Sequence, residues 1–207
     1  NERLIKYPAS TFGHNAINVN GEFFNFSHLI NENESTDEAE YMYRPALGEF
    51  APSPITGKFE ILEDGTVYYD KFGRNFMRGI HVIRLEGIDA DYLSGIYHNE
   101  LKTIHATTPH PDYPEKYKDF SFYKRSCTTL IRDGLRQYGF KKITGFLPRD
   151  FFISAAVSLM KAQKEMDLTV QLYNRPQLKV PEAPFSKNSF PMNPMNWIRL
   201  KKLQGMV

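Results

Sequence analysis

Cys127, the one cysteine in the chain, is the side chain with the most chemistry to offer. It stands in Tyr123-Lys-Arg-Ser-Cys-Thr-Thr-Leu130. Ser126 or Cys127 opens an amphipathic helix there, with Leu130, Ile131, Leu135 and Tyr138 as its buried stripe and Gly139 as its stop. Unpaired N–H groups and the positive end of the helix dipole stabilise an anion at such a start. A thiol in that place ionises more readily and is the better nucleophile for it; Lys124 and Arg125 push the same way. The plain alternative is a thiol packed as a small apolar residue. A thiolate that attacks a carbonyl needs an imidazole to hold a proton and deliver it to the leaving group. His14 is the first candidate, at the start of a strand in Phe12-Gly-His-Asn-Ala-Ile17. Gly13 beside it leaves room for a substrate or another backbone. The ordinary alternative is a strand histidine bonded to a carbonyl.

The other histidines offer less. His28 falls just past the second strand, His81 faces the polar side of its strand, and His98 lies on a solvated helix face. His105 and His110 flank a proline loop with Asp112, a spacing a metal could use. No HExxH pattern or cysteine pair accompanies them, so neither metal nor cofactor is expected.

Several elements must position these groups. Thr11 to Val19 and Glu22 to Ser27 flank Asn20-Gly21, the signature of a type I′ hairpin turn. Glu32, Glu34, Asp37, Glu38 and Glu40 follow with no basic neighbour before Arg44, and Pro45, Pro52 and Pro54 stand behind them. Residues 31–56 therefore read as a long solvated excursion, sometimes the shape of a lid. A second hairpin is expected over residues 58–70 around Asp64-Gly65, and a strand over Gly79 to Leu85. A helix from Asp89 to Ile104 carries Tyr92, Leu93, Ile96, Tyr97, Leu101 and Ile104 at the 3.6 period. Another runs from Pro148 or Arg149 to about Gln163, a last strand covers Leu168 to Tyr173, and residues 174–207 form an irregular proline-rich arm. Residues 1–173 are thus one domain, with the arm packed on it.

Composition narrows the class. Hydrophobic residues make up 41% and aromatic residues 14%, enough for a core, which rules out wholesale disorder. No window reaches about 18 consecutive apolar residues, so no helix is expected to span a membrane. With 26 basic and 24 acidic side chains the net charge is +2, too little to pull on nucleic acid. Arg199, Lys201 and Lys202 behind Trp197 are a solvated face rather than a nucleic-acid footprint. A chain that starts at Asn1 is expected to have lost something upstream, and its start carries no readable targeting signal. Ser158-Leu-Met-Lys161 has SxxK spacing but falls deep in a helix without its partner motifs. Asn25-Phe-Ser and Asn33-Glu-Ser fit glycan acceptor triplets.

Taken in order, a Gly-His strand, a hairpin, a strand-helix unit, a helix opened by a lone cysteine and a proline-led helix resemble the circularly permuted branch of the NlpC-type papain-like cysteine peptidases and amidases. The resemblance covers about residues 7–163, and its anchors are Phe12-Gly13-His14, Ser126-Cys127-Thr128-Thr129 and Leu147-Pro148-Arg149-Asp150. It implies an α+β papain-like fold, an antiparallel sheet packed against helices that include the nucleophile-bearing one. It makes Cys127 the nucleophile, His14 the general base and Asn25, across the Asn20-Gly21 turn, the group that orients the imidazole; Ser27 and His28 are the fallbacks. The backbone N–H of Cys127 belongs to an oxyanion hole, to which Ser126, Tyr117 or Tyr123 adds a donor or a substrate contact.

Lipid-handling members resembling lecithin:retinol acyltransferase carry an Asn-Cys-Glu-His run, where this chain has Ser-Cys-Thr-Thr. The chain is also similar to the papain-like toxins that bacteria inject into competitors, some through type VI secretion. That likeness implies amide hydrolysis in peptidoglycan, delivery to the periplasm of a target bacterium and a cognate immunity protein as partner. The rivals are an acyltransferase or phospholipase, a protein-directed protease or deamidase, and a binding module of the same fold without chemistry.

Overall fold

The computed structural model describes residues 13–38, 41, 80–114 and 116–175, with 195, 198, 199 and 201 besides. Phe12, the expected hairpin over residues 58–70 and most of the C-terminal arm lie outside the described residues. The described part is α+β, with three helices and two antiparallel sheets.

The first sheet grows from Asn20-Gly21. Both residues have positive φ, 54° and 97°, as a type I′ turn demands. The turn joins β1 (Ala16–Val19) to β2 (Glu22–Asn25), with Ala16 opposite Asn25. β2 then pairs with β3 (Glu34–Asp37), so the sheet has three strands in the order β1-β2-β3.

β3 corrects the expectation of a solvated excursion from residue 31, at least over its first part. A 3-10 turn at Ile30–Glu32 folds the chain back. Asn33, fully buried, locks it: its amide donates to the carbonyls of Ser27 (3.1 Å) and Leu29 (2.6 Å), and its oxygen accepts from the Ser27 N–H (3.0 Å). Glu-Ser-Thr-Asp has weak strand propensity. The side-chain lock of Asn33 supplies the turn that its charge pattern conceals. Residues 39, 40 and 42–56 of the expected excursion are outside the described residues.

The second sheet pairs β4 (Ile80–Glu86) with β5 (Thr169–Arg175), close to the expected strands. Between them run α1 (Ala90–His105), α2 (Cys127–Tyr138) and α3 (Pro148–Met166). Asp89 caps α1 by accepting from the Tyr92 N–H at 2.9 Å. Pro148 takes the first position of α3, where its missing N–H costs nothing. α3 continues to Met166, beyond the expected end, and stops at Asp167 in the left-handed conformation.

One hydrophobic cluster joins the elements: Phe24 of β2 and Phe26 just past its end, Leu93, Tyr97 and Ile104 from α1, Leu130, Ile131 and Leu135 from α2, and Phe151, Ala155 and Leu159 from α3. Ile83, Leu85 and Val170 of the second sheet pack on its edge. Tyr92, assigned by period to the buried stripe of α1, is 52% exposed and lies against the Tyr138 ring instead. His98, expected to be solvated, pairs with Glu22 at 3.0 Å and sits edge-on to Phe24. His81 does face outward, 2.6 Å from Asn174 Oδ1.

Tyr97 sets the spacing of α1 and α2. Its ring is fully buried over Gly134, and its hydroxyl donates to the Ile131 carbonyl at 2.9 Å. A Cβ on Gly134 would overlap that ring. Gly134→Ala gains about 1 kcal/mol of helix propensity, against an overpacking cost of about 1–3 kcal/mol. A lower urea midpoint is therefore expected, and a higher one would mean that the ring does not lie on Gly134.

Candidate active site

His14 sits in the irregular segment that leads into β1, and its side chain is exposed. Gly13, with φ of 83°, turns the chain there against the first residue of α3, and an added Cβ would sit 3.6 Å from Pro148 Cβ. The expected close approach is thus to the start of a helix. Asn25 lies opposite Ala16 rather than directly opposite His14. His14 is two residues along the same face of the strand direction, and its ring reaches diagonally to Asn25.

That reach ends in a bond of 2.7 Å between His14 Nε2 and Asn25 Oδ1. The roles at this bond follow from the other end of the amide. Asn25 Nδ2 lies 2.7 Å from the Glu32 carbonyl, which only accepts. The amide nitrogen must therefore face Glu32 and the oxygen must face His14. An oxygen can only accept, so His14 carries its hydrogen on Nε2, leaving Nδ1 as the nitrogen turned to other work. Asn25 is 1% exposed, and an unpaired amide there would cost about 1–3 kcal/mol.

Cys127 is the first residue of α2 and half-buried. Ser126 caps the helix in a reciprocal box. Its hydroxyl accepts from the Thr129 N–H (3.4 Å), and the Thr129 hydroxyl accepts from the Ser126 N–H (2.8 Å). The box uses the N–H groups of Ser126 and Thr129 and not that of Cys127, which at this position has no intrahelical carbonyl to reach.

Burial pushes the Cys127 thiol up, but four attractions outweigh it and bring it down to about 7. They are the positive charge of protonated His14, a hydrogen bond from that imidazolium, a backbone hydrogen bond from Asn15 and a hydrogen bond from the Thr128 hydroxyl. The expected help from Arg125 is absent. Its guanidinium pairs with Glu100 and donates from Nε to the Tyr117 hydroxyl at 2.8 Å.

The structure thus brings Cys127, His14 and Asn25 together. The remaining candidates are committed elsewhere. Ser126 is a buried cap. Tyr117 is buried, with its hydroxyl on Arg125. Tyr123 is 66% exposed and packs on Phe122 and Phe146. Ser27 donates to the Glu32 carboxylate, and the His28 ring lies edge-on to Phe120. Neither fallback is needed for the third position.

Asn15 and Thr128 went unmarked in the sequence. Asn15 Nδ2 donates to Thr128 Oγ1 at 3.0 Å, and Thr128 is fully buried. Their signal was adjacency, since each directly follows one of the two reactive residues. His105, weighed above as a metal ligand, has its Nε2 2.7 Å from the Asn33 carbonyl. Among the described residues no cluster of three His, Cys, Asp or Glu side chains could hold a metal. The glycan triplets are spent on the fold, with both Asn25 and Asn33 buried and bonded.

A thiol at about 7 gives a pH-dependence whose sign is fixed. The reactive thiolate is half formed near that pH, falls about tenfold for each unit below it and levels off above. Alkylation of Cys127 by iodoacetamide should follow this curve. In His14→Ala the burial remains while the largest attraction is lost, so the midpoint should rise to about 8.5 or more and the rate at pH 7 should drop about tenfold. Unchanged midpoints in the two proteins would show that His14 does not act on the thiol.

No family model, curated protein or solved structure matches the chain.

Proposed function

We propose that the chain is a papain-like cysteine hydrolase, with Cys127 as nucleophile, His14 as general base and acid, and Asn25 as the group that orients His14. The observation that carries this reading is the His14 ring, held by Asn25 at 2.7 Å on one nitrogen and near enough to the Cys127 sulfur to draw the thiol down. A half-buried thiol drawn down to about 7 beside an oriented imidazole favours this reading over a binding module without chemistry.

The chemistry follows from the protonation states. Transfer of the thiol proton to His14 Nδ1 gives a thiolate beside an imidazolium. The sulfur attacks the carbonyl carbon, and the carbonyl π pair moves onto oxygen. The Cys127 N–H and the helix dipole favour that oxyanion. As the tetrahedral intermediate collapses, the C–N bond breaks and the amine leaves with the proton from His14. A thioester remains on Cys127. Water then attacks it while His14 takes a proton, the C–S bond breaks, and the acid departs. Throughout, Nε2–H stays on Asn25, which keeps the ring from turning.

The first substrate we propose is a peptide amide in bacterial cell wall, cut by a toxin that meets a dedicated immunity protein. This rests on the resemblance to injected papain-like toxins. A second reading, ester chemistry on lipid, draws on one feature. Phe122, Tyr123 and Phe146 form an exposed aromatic cluster with centroids 5.3 to 6.5 Å apart. It is built from the segments leading into α2 and α3, at the same ends as Cys127 and Pro148. Such a surface accommodates an apolar acyl group.

Purified peptidoglycan incubated with the protein should release fragments whose masses show one type of amide opened. Cys127→Ala and His14→Ala should cut at least about 100-fold more slowly. Equal release by all three proteins would end the cysteine mechanism. No release from the wall, with hydrolysis of phospholipid esters instead, would favour the lipid reading.

A further inference from the structure

The His14–Asn25 bond lies within one hairpin, whereas Cys127 belongs to a helix. Asn25 fixes which way the imidazole faces but not how far it stands from the sulfur. His14 also precedes the first ladder residue of β1, Ala16. A tie between the segment bearing the base and the helix bearing the nucleophile would set that distance.

We propose that Asn15 and Thr128 are positioning residues that clamp His14 to Cys127 and supply hydrogen-bond donors to the thiolate; this rests on the cysteine-hydrolase reading. Asn15 directly follows His14, and Thr128 directly follows Cys127. Their bond, Asn15 Nδ2 to Thr128 Oγ1 at 3.0 Å, therefore joins the neighbours of the two reactive residues. A second contact of the same amide, 3.4 Å to the Pro148 carbonyl, brings in the first residue of α3. One side chain thus ties together the approach to β1 and the starts of both helices.

The donors point the same way. Thr128 Oγ1 accepts from Asn15, so its own hydrogen is available to the Cys127 sulfur, 3.9 Å away. The backbone N–H of Asn15 also bonds the sulfur. Asn15 therefore reaches the thiolate twice, directly through its main chain and through the Thr128 hydroxyl. Burial of Thr128 keeps water from replacing the second route. The charged group acting on the sulfur remains His14, and the clamp sets how closely it acts.

The test needs no substrate. Iodoacetamide alkylation rates of Cys127 are measured against pH for wild type, Thr128→Val, Thr128→Ser, Asn15→Ala and His14→Ala, each checked for a wild-type circular dichroism spectrum and thermal midpoint. Thr128→Val keeps the shape and loses the hydroxyl, while Asn15→Ala removes the tie from a half-buried position and is the variant to rely on if the valine disturbs folding. Both should move the midpoint upward by about one unit and slow alkylation at pH 6 about tenfold. Thr128→Ser should keep the wild-type curve. Folded Thr128→Val and Asn15→Ala proteins that titrate like wild type, while His14→Ala is shifted, would overturn the clamp and leave the Cys127–His14 pair intact. A His14→Ala curve equal to wild type would instead remove the pair on which the clamp rests.

Discussion

A single carbonyl, that of Glu32, decides the state of the whole site. It can only accept a hydrogen bond, so it takes the amide nitrogen of Asn25 at 2.7 Å and forces the amide oxygen toward His14. The oxygen in turn requires a hydrogen on Nε2, which leaves Nδ1 to deal with the sulfur. Two short bonds thereby convert backbone placement into a protonation state. The 3-10 turn that presents this carbonyl is closed by Asn33, itself buried and bonded to Ser27 and Leu29. Asn25 and Asn33 are thus tied through one short turn, and weakening either leaves a buried amide unsatisfied at about 1–3 kcal/mol.

The surroundings divide the labour. The Phe24–Tyr97–Ile131 core carries the stability and fixes the helices, with Tyr97 seated on Gly134. The proposed reactive groups lie at the rim of that core, where Cys127 is half-buried and His14 exposed. A nucleophile at a helix start combines a rigid mount with a free N–H beside the sulfur. In the proposed site the base is the exposed member, and the side-chain contacts at Asn25 and Asn15 are the ties that would position it.

Much of the fold was legible because its signals are local. Asn20-Gly21 announced the hairpin turn, Gly139 the end of α2, and Pro148 the start of α3. The apolar period found α1 except at Tyr92, whose ring left the core for the neighbouring Tyr138. β3 was hidden, because its residues are acidic and polar and its place is set by Asn33, a side chain acting on distant backbone. Cys127 and His14 were legible from residue chemistry and position, and Asn25 from a family likeness. Asn15 and Thr128 were not, since a hydrogen bond between residues 113 apart in sequence leaves no local pattern. The supposed help from Arg125 failed for the same reason, as its partner Glu100 sits on α1, away from the loop that carries Arg125.

In the proposed mechanism Cys127 is a nucleophile toward carbonyl carbon and not merely an ionised thiol. Acylation by a simple activated ester, p-nitrophenyl acetate, tests this directly when followed by intact-protein and peptide mass spectrometry. One acetyl group is expected on Cys127, formed at a rate that rises through about pH 7 and levels off above it, lost again to water, and formed far more slowly when His14 is alanine. Acetylation scattered over lysines, or of Cys127 at the same rate with and without His14, would contradict it.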